Sequence, residues 1–215
     1  MIFVLRISLP DVPGSLGRVA SAFGKGGVNI LTLDVIDSED GVAVDDLRVE
    51  APDGMQEALR RAGEEVPGFA VEYVRPLEAF RHVLEPLELA ARLADAGAEA
   101  VAHLVEDLPD ALGASWAIAF DRTEDPPRTL AASIGAPTLA RLPAAWVNPD
   151  RGPWRSDTGL EVASAPLGAS AGLLLGRERG PRFRLSELRH IRLLAQIAAG
   201  AALLLPAAMR GTPGS

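Results

Sequence analysis

The first third of the chain alternates segments with strand-like and helix-like spacing of apolar residues. Residues 2–9 are rich in β-branched and aromatic side chains, which predicts a strand. In residues 14–23 the apolar side chains recur at offsets of three and four, which predicts a helix. Its predicted buried face consists of Leu16, Val19, Ala20 and Phe23. A glycine-rich stretch directly afterwards, residues 24–27, predicts the end of this helix.

Three more strands and a second helix are predicted in the same segment. Residues 28–37 and 41–50 flank an acidic turn, SEDG, which predicts a β-hairpin. A helix is predicted from Asp53 to Glu64, with Asp53 as its N-cap. Its predicted buried stripe consists of Met55, Ala58, Leu59 and Ala62. A last strand at 67–76 gives the order βαββαβ, the split βαβ pattern of ferredoxin-like folds, over residues 1–76.

The pattern changes after Pro76, where Ala and Leu become dominant. One long helix is predicted from Pro86 to Leu108, and a final helix from Leu185 to Leu205. Between them the sequence predicts four strands, SWAIAF, RTLAASIG, LEVASAPLG and AGLLLGRER, and a loop at 143–159. Residues 84–205 are therefore predicted to form an antiparallel sheet packed by terminal helices, which makes the whole chain α+β. The remaining residues, 206–215, are predicted to be a flexible tail.

One apolar run, from Ile191 to Met209, approaches the length of a membrane span. Arg192 and Gln196 lie early in this run and Pro206 interrupts it. Polar residues just upstream share one helical face, as they do in a packed or dimerising helix. The sequence therefore predicts a buried helix and no membrane partner.

Composition narrows the classes of function. The chain has no cysteine, which excludes disulfides, thiolate metal sites and cysteine nucleophiles and fits a reducing, cytoplasmic location. Its formal net charge is −8. Because nucleic-acid affinity rests largely on Lys and Arg that neutralise phosphates, direct nucleic-acid binding is disfavoured.

The candidate chemistry lies in the stretch DVPGSL, residues 11–16, between the first strand and the first helix. The first backbone N–H groups of a helix have no intrahelical partner, and the helix dipole adds partial positive charge there. Such an end attracts a carboxylate, while Asp11 just before it suits an ammonium group. Together the two features suit a zwitterion such as a free amino acid. The alternative is a plain helix cap and turn, which stabilises by only about 1 kcal/mol.

The stretch LPDVPGSLGRVASAFGKGGVNI resembles the start of an ACT domain, an amino-acid-binding regulatory module. That family carries an Asp/Asn-x-Pro-Gly signature in its first loop and often Val-Asn-Ile at its second strand. The resemblance implies a homodimer of side-by-side domains with a small ligand, an amino acid, at their interface. The ligand-binding residues it implies are Asp11, Val12, Pro13, Gly14, Ser15 and Leu16 of one subunit with Asn29 and Ile30 of the other. Serine-binding relatives carry a His where this chain has Leu9, so the identity of the amino acid stays open.

Residues 84–205 resemble a GAF domain, in which a Phe and a short polar N-cap precede a long C-terminal helix. In this chain the matching residues are Phe183 and Ser186, with Glu187 in the first turn. We expect this domain mainly to mediate dimerisation through its terminal helices. Two interpretations of Trp146, Trp154 and Arg155 stay open, a lined pocket or a loop anchored by aromatic side chains.

An assembled catalytic group is not evident in the sequence. His82, His103 and His190 lie far apart, and none of the acidic clusters has the spacing of a calcium loop. The prediction is a non-catalytic ligand sensor without metal or cofactor, able to regulate a protein partner. One alternative is an interaction scaffold that binds no amino acid. Another is an enzyme with a centre between subunits around Asp11, Asp34 or His103.

Overall fold

The computed structural model describes residues 1–61, 66–77, 86–178 and 180–208. The chain divides into two compact units, Met1–His82 and Val83–Ser215. Each unit is built around its own antiparallel sheet. Within the described ranges, no helix has the length and hydropathy needed to cross a lipid bilayer.

The first unit contains four strands and two helices in the predicted order βαββαβ. They are β1 (Ile2–Pro10), α1 (Ser15–Lys25), β2 (Asn29–Glu39), β3 (Val42–Glu50), α2 (Gln56–Arg61) and β4 (Ala70–Leu77). The strands lie in the sheet in the order β2-β3-β1-β4, and every neighbouring pair is antiparallel. The predicted ferredoxin-like arrangement is confirmed.

The core of this unit lies on one face of the sheet, under the two helices. Alternate residues of β1 and β3 point to that face because side chains of a strand alternate between its two sides. The buried side chains include Phe3, Leu5, Ile7, Leu9, Leu47 and Val49 from the strands and Val19, Phe23 and Leu59 from the helices. Phe23 also packs edge-to-face on Phe69, with 6.2 Å between ring centroids.

The buried face of α1 differs from the predicted one. Ser15, Val19 and Phe23 are buried, whereas Leu16 and Ala20 are exposed. The predicted and observed faces share Val19 and Phe23, so apolar spacing alone does not distinguish them. The strand-to-helix junction decides the rotation of the helix about its axis.

Helix α2 begins later than predicted. It starts at Gln56, so Asp53 lies before the helix rather than at its N-cap, and its carboxylate is 3.5 Å from the N-terminal ammonium group. Leu59 is buried and Met55 half-buried as predicted, but Ala58 is exposed. The last predicted residues of the stripe and helix, Ala62 and Glu64, lie outside the described residues.

The predicted hairpin is confirmed, and its turn consists of Asp40 and Gly41. Both residues have positive φ, 51° and 76°, as a two-residue type I′ turn requires. Strand β2 therefore runs on to Glu39, beyond its predicted end. This extension brings the hairpin tip beside the first loop, which follows β1.

The second unit contains three helices and five strands. They are α3 (Pro86–Asp95), α4 (Ala100–Ala111), β5 (Trp116–Asp121), β6 (Arg128–Ala132), β7 (Trp154–Arg155), β8 (Glu161–Leu167), β9 (Ala171–Arg177) and α5 (Leu185–Ala208). The sheet order is β6-β5-β9-β8-β7, with antiparallel neighbours. The predicted antiparallel sheet with helices before and after it is thus observed, while the GAF-like assignment stays a prediction.

Three predicted boundaries in this unit are wrong. The helix predicted from Pro86 to Leu108 is two helices, because Gly97 takes a positive φ of 54° at the short 3-10 turn between them. Helix α5 continues to Ala208, so residues 206–208 are helical rather than part of a tail. The other predicted tail residues, 209–215, lie outside the described residues. Ser186 lies within α5 rather than at its N-cap.

Both faces of the second sheet are covered. The helices pack on one face around residues such as Leu89, Leu104, Leu173 and Ile191. The opposite face carries a smaller cluster that includes Trp116, Phe120 and Leu174. Residues of the predicted loop, Trp146 among them, pack against this cluster.

Candidate ligand site at the first loop

The first loop is anchored to the tip of the β2–β3 hairpin. The Asp11 N–H donates to the Gly41 carbonyl at 2.8 Å. The Ser38 hydroxyl donates to Asp11 Oδ2 at 2.5 Å. Asp11 does not cap helix α1, because its carboxylate is held by β2 instead. The loop thus presents an exposed carboxylate at a fixed place beside the start of α1.

Helix α1 begins without a side-chain cap. Its N-cap residue is Gly14, with φ 86° and ψ −4°, a left-handed conformation that glycine adopts readily. The Ser15 N–H donates to the Val12 carbonyl at 3.1 Å, and the Ser15 hydroxyl accepts from the Arg18 guanidinium at 2.9 Å. The next N–H groups, of Leu16 and Gly17, make no backbone hydrogen bond within the described residues, because the carbonyls four residues before them belong to the loop and not to the helix. This helix end can therefore receive a carboxylate through its backbone.

The predicted loop residues differ in exposure. Ser15 is buried, and the others are exposed, namely Asp11, Val12, Pro13, Gly14 and Leu16. Leu9, where serine-binding relatives carry a His, is in the core of the unit.

Asn29 and Ile30 lie far from the loop within one chain. Asn29 is exposed and pairs in register with Glu50, whose other register partner is Ile2. Ile2 is the first residue of β1, whereas Asp11 directly follows the last residue of that strand. Because β1 has nine residues and a strand rises about 3.3 Å per residue, the two ends are about 26 Å apart. One chain therefore does not bring the two halves of the predicted site together.

Asp45 is a further acidic residue near the loop, and it is not among the predicted site residues. It is 4% exposed, and its Oδ1 has no hydrogen-bond partner. Burial raises the pKa of Asp45 above its ordinary value, and the charge of Asp11 raises it further. The sequence pattern that identifies Asp45 is the alternation along β3, which places it on the same face as the core residues Leu47 and Val49.

The neighbouring Asp46 is on the opposite face of the sheet and is neutralised. Its two carboxylate oxygens each accept a bond of 2.7 Å from the buried Arg6 guanidinium. Such a bidentate pair is a strong, directional contact. Among the described residues, neither Asp11 nor Asp45 forms an ion pair of this kind. The acidic pair at 45 and 46 thus splits into a structural residue and an uncompensated one.

In the second unit, the residues singled out from the sequence have packing roles. Phe183 is buried under the Arg177 guanidinium, which lies 4.1 Å from the ring centroid. Arg177 also donates to Glu187 at 2.7 Å, and both of these side chains are buried. Trp154 and Arg155 form β7 at the sheet edge, where Arg155 pairs in register with Glu161. Trp146 packs against the cluster that contains Trp116 and Phe120, which supports the interpretation of a loop anchored by aromatic side chains.

The histidines do not assemble a metal site in the described ranges. His103 lies 3.7 Å from Glu99 on the same helix, and His190 is exposed. His82 is outside the described residues. Across the part of the chain that the structure describes, no group of three or more His, Cys, Asp or Glu residues is placed to hold a metal ion.

Comparison with known families identifies the first unit. The ACT domain family model matches residues 3–64. Residues 3–64 form an ACT domain. The match covers the whole first loop and Asn29. It ends before the second unit, for which the GAF-like resemblance is unconfirmed. No curated protein sequence matches the chain.

Several solved structures are similar to parts of the chain. An uncharacterized protein from Thermotoga maritima is 19% identical and covers 36% of this chain and 96% of its own, with a TM-score of 0.30. The ACT domain from GTP pyrophosphokinase of Chlorobium tepidum is 22% identical, with coverages of 36% and 97% and a TM-score of 0.28. An unknown protein from Galdieria sulphuraria is 11% identical, with coverages of 81% and 78% and a TM-score of 0.33. At these TM-scores, the assignment of the ACT domain rests on the family model.

Proposed function

We propose that this chain is a non-catalytic, cytoplasmic regulatory protein whose ACT domain binds a free amino acid between two copies of the chain. The observation that carries the proposal is the pairing of an exposed carboxylate, Asp11, with an uncapped helix N-terminus in the same loop. ACT domains bind small molecules such as amino acids, and this loop is the part of the domain that the family signature marks.

The loop complements the charges of an amino acid. The N–H groups at the start of α1 would donate hydrogen bonds to the ligand α-carboxylate, because a helix end favours negative charge. Asp11 would accept a charge-assisted hydrogen bond from the α-ammonium group. Since Ser38 already orients the Asp11 carboxylate, little ordering is needed when the ligand arrives.

The position of Asn29 supports a site that is completed by a second subunit. Strand β2 is at the edge of the sheet, and its Leu31 and Val35 are 44% and 68% exposed. Such an edge is a template for pairing with another strand. A two-fold antiparallel pairing centred on Asp34 would place Asn29 of the partner subunit opposite Glu39. That position is next to Ser38, which holds Asp11.

The second unit would serve the dimer rather than the ligand. On α5, residues spaced by three and four are exposed, namely Leu193, Gln196, Gly200 and Leu203. Two apolar side chains in this stripe suit a helix that pairs with its copy. A ligand that bridges two ACT domains would shift the equilibrium between two arrangements of the domains. The size of that shift is limited by the difference in the affinity of the ligand for the two arrangements. A regulated protein partner would read that change.

Thermal unfolding of the full chain against the twenty amino acids tests this function. A ligand at ~100 times its Kd stabilises the folded state by roughly 2.7 kcal/mol. We expect one chemical class to raise the unfolding midpoint, and Asp11→Ala and Asn29→Ala each to abolish that rise. Asp157→Ala, an exposed carboxylate of the second unit, is the matched control and should respond as the wild type does.

Two results would contradict the proposal. The first is a wild-type chain that no amino acid stabilises. The second is a ligand whose effect survives both Asp11→Ala and Asn29→Ala, because that ligand would bind elsewhere.

A further inference from the structure

Asp11 in the first loop and Asp45 on the helix-covered face of the first sheet form no ion pair with any cation among the described residues. Asp45 is opposite Ile7 on one side and Val35 on the other, in register. Ser38, which holds Asp11, is opposite Ala43, and residues 43 and 45 share a face of β3. Residues 43 and 45 are about 7 Å apart along β3. Asp11 and Asp45 are thus neighbours, and the charge of Asp11 acts on Asp45.

The burial of Asp45 is costly unless something compensates for it. A buried carboxylate oxygen without a hydrogen-bond donor loses its hydration and gains nothing in return. Asp46 shows how the fold treats a carboxylate that has only a structural role, because the buried Arg6 pairs with both of its oxygens. Asp45 has no such partner among the described residues. Its position therefore suits a cation that comes from outside the chain.

We infer that the ligand is a diamino acid, whose side chain carries a second cationic group that Asp45 binds. This inference rests on the proposed function and names the class of ligand at the same site. The α-carboxylate lies at the start of α1, the α-ammonium at Asp11 and the side-chain cation at Asp45.

The count of charges favours this class over a neutral amino acid. A ligand with one ammonium group neutralises Asp11 and leaves Asp45 uncompensated. A second cationic group neutralises Asp45 as well and donates to its unpartnered oxygen. Residue 43, opposite Ser38, and residue 45 are about 7 Å apart along β3, a span that the aliphatic part of a lysine side chain can cover.

Calorimetric titration of the full chain with L-lysine and L-norleucine tests the inference. Norleucine has the aliphatic chain of lysine without the terminal ammonium group, so the pair isolates the contribution of that group. We expect lysine to bind at least roughly tenfold more tightly, the size of one hydrogen bond to a charged group. Asp45→Asn should remove this preference, so that lysine and norleucine bind the variant with similar affinities. Asp157→Asn, which changes net charge equally in the second unit, should keep the preference.

The outcomes separate this inference from the proposed function. If norleucine and lysine bind equally to the wild type, and Asp11→Ala abolishes both, the amino-acid site stands and the diamino-acid inference is overturned. The diamino-acid inference is also overturned if the wild type prefers lysine and Asp45→Asn keeps that preference. If no amino acid binds the wild-type chain, both the proposed function and the inference fail. Because the readout is a ratio of two affinities for one variant, a change in the stability of Asp45→Asn does not alter it.

Discussion

Ser38 and Asp11 join the two segments that border the candidate site, through a hydrogen bond of 2.5 Å from the serine hydroxyl to the aspartate carboxylate. The residues are 27 positions apart in the sequence, and both are exposed. A surface bond between distant segments contributes little to stability, about 0.5–1.5 kcal/mol. Its consequence is geometric, because it fixes the direction of the acceptor that would meet the ligand.

Ser38→Ala should weaken amino-acid binding without unfolding the domain. The Asp11 carboxylate would keep its charge but lose its orientation, so we expect a fall in affinity smaller than that caused by Asp11→Ala. Calorimetric titration measures both affinities. Ser21→Ala is the control, since the Ser21 hydroxyl only donates to the Gly17 carbonyl on an exposed part of α1. Equal affinities for Ser38→Ala and the wild type would show that the bond plays no part in binding.

The Arg177 guanidinium links three parts of the second unit. It donates to the carbonyls of Leu112 and Pro181 at 2.5 and 3.0 Å, and it pairs with the buried Glu187. Arg177→Met should destabilise this unit by about 3–5 kcal/mol, because it leaves the Glu187 carboxylate buried without its cation. The three tryptophans of the chain, Trp116, Trp146 and Trp154, all lie in this unit, so their fluorescence in a urea titration reports its unfolding.

The matched control for this network is an exposed ion pair in the same unit. Arg122 pairs with Asp150 at 3.2 Å and also donates to the Ala169 carbonyl, and the side chains of Arg122 and Asp150 are both at least one-third exposed. Arg122→Met should cost no more than about 1 kcal/mol. If Arg177→Met costs as little as Arg122→Met, the buried network is not a major source of stability.

The glycines of β9 allow aromatic rings to lie close to the strand backbone. A Cβ at Gly176 would be 2.0 Å from the Trp116 ring, and one at Gly172 would be 2.4 Å from the Phe120 ring. Gly176→Ala should therefore destabilise the second unit by about 1–3 kcal/mol, the usual result of overpacking. Gly200→Ala has no atom within 4 Å of the added Cβ and should be neutral or stabilising. The same tryptophan fluorescence distinguishes the two variants, and equal stabilities would contradict the packing argument.

Local patterns were sufficient to predict the order of elements in the ACT domain. Alternation along β1 and the turn residues Asp40 and Gly41 each act within a few neighbouring residues, so the sequence carries them directly. The rotation of α1 was not predictable in the same way. It depends on the strand-to-helix junction, where Gly14 takes a left-handed conformation.

The candidate site was predictable only in part. The loop around Asp11 was found because its residue types suit a turn and a helix start. Asp45 was missed because an acidic pair near a hairpin suggests an exposed turn, whereas its role depends on which face of the sheet it occupies. The pairing of Arg6 with Asp46 spans 40 positions and follows from strand register, which a single sequence does not fix.

The dependence of stability on pH tests the environment of Asp45. Burial, followed by the charges of Asp11 and Asp46, raises the pKa of Asp45 in the folded state. Below the unfolded-state pKa of about 3.9 the carboxyl is protonated in both states and destabilises neither. As pH rises through the raised pKa, the folded state must carry a charge that burial disfavours, so the free energy of unfolding of the wild type falls. The Asp45→Asn variant has no titratable group at this position, so its stability does not fall for this reason.

Asp45→Asn should therefore gain stability relative to the wild type as pH rises from 4 to 7. Scanning calorimetry at a series of pH values measures the difference between the two midpoints without added ligand. Asp37→Asn, a β2 carboxylate whose Oδ1 accepts from the Ser38 N–H, is the comparison with an acidic side chain that has a donor. A difference between Asp45→Asn and the wild type that is independent of pH would contradict the raised pKa. It would also mean that Asp45 is already compensated in the unliganded chain, which removes the reason for a ligand cation at that position.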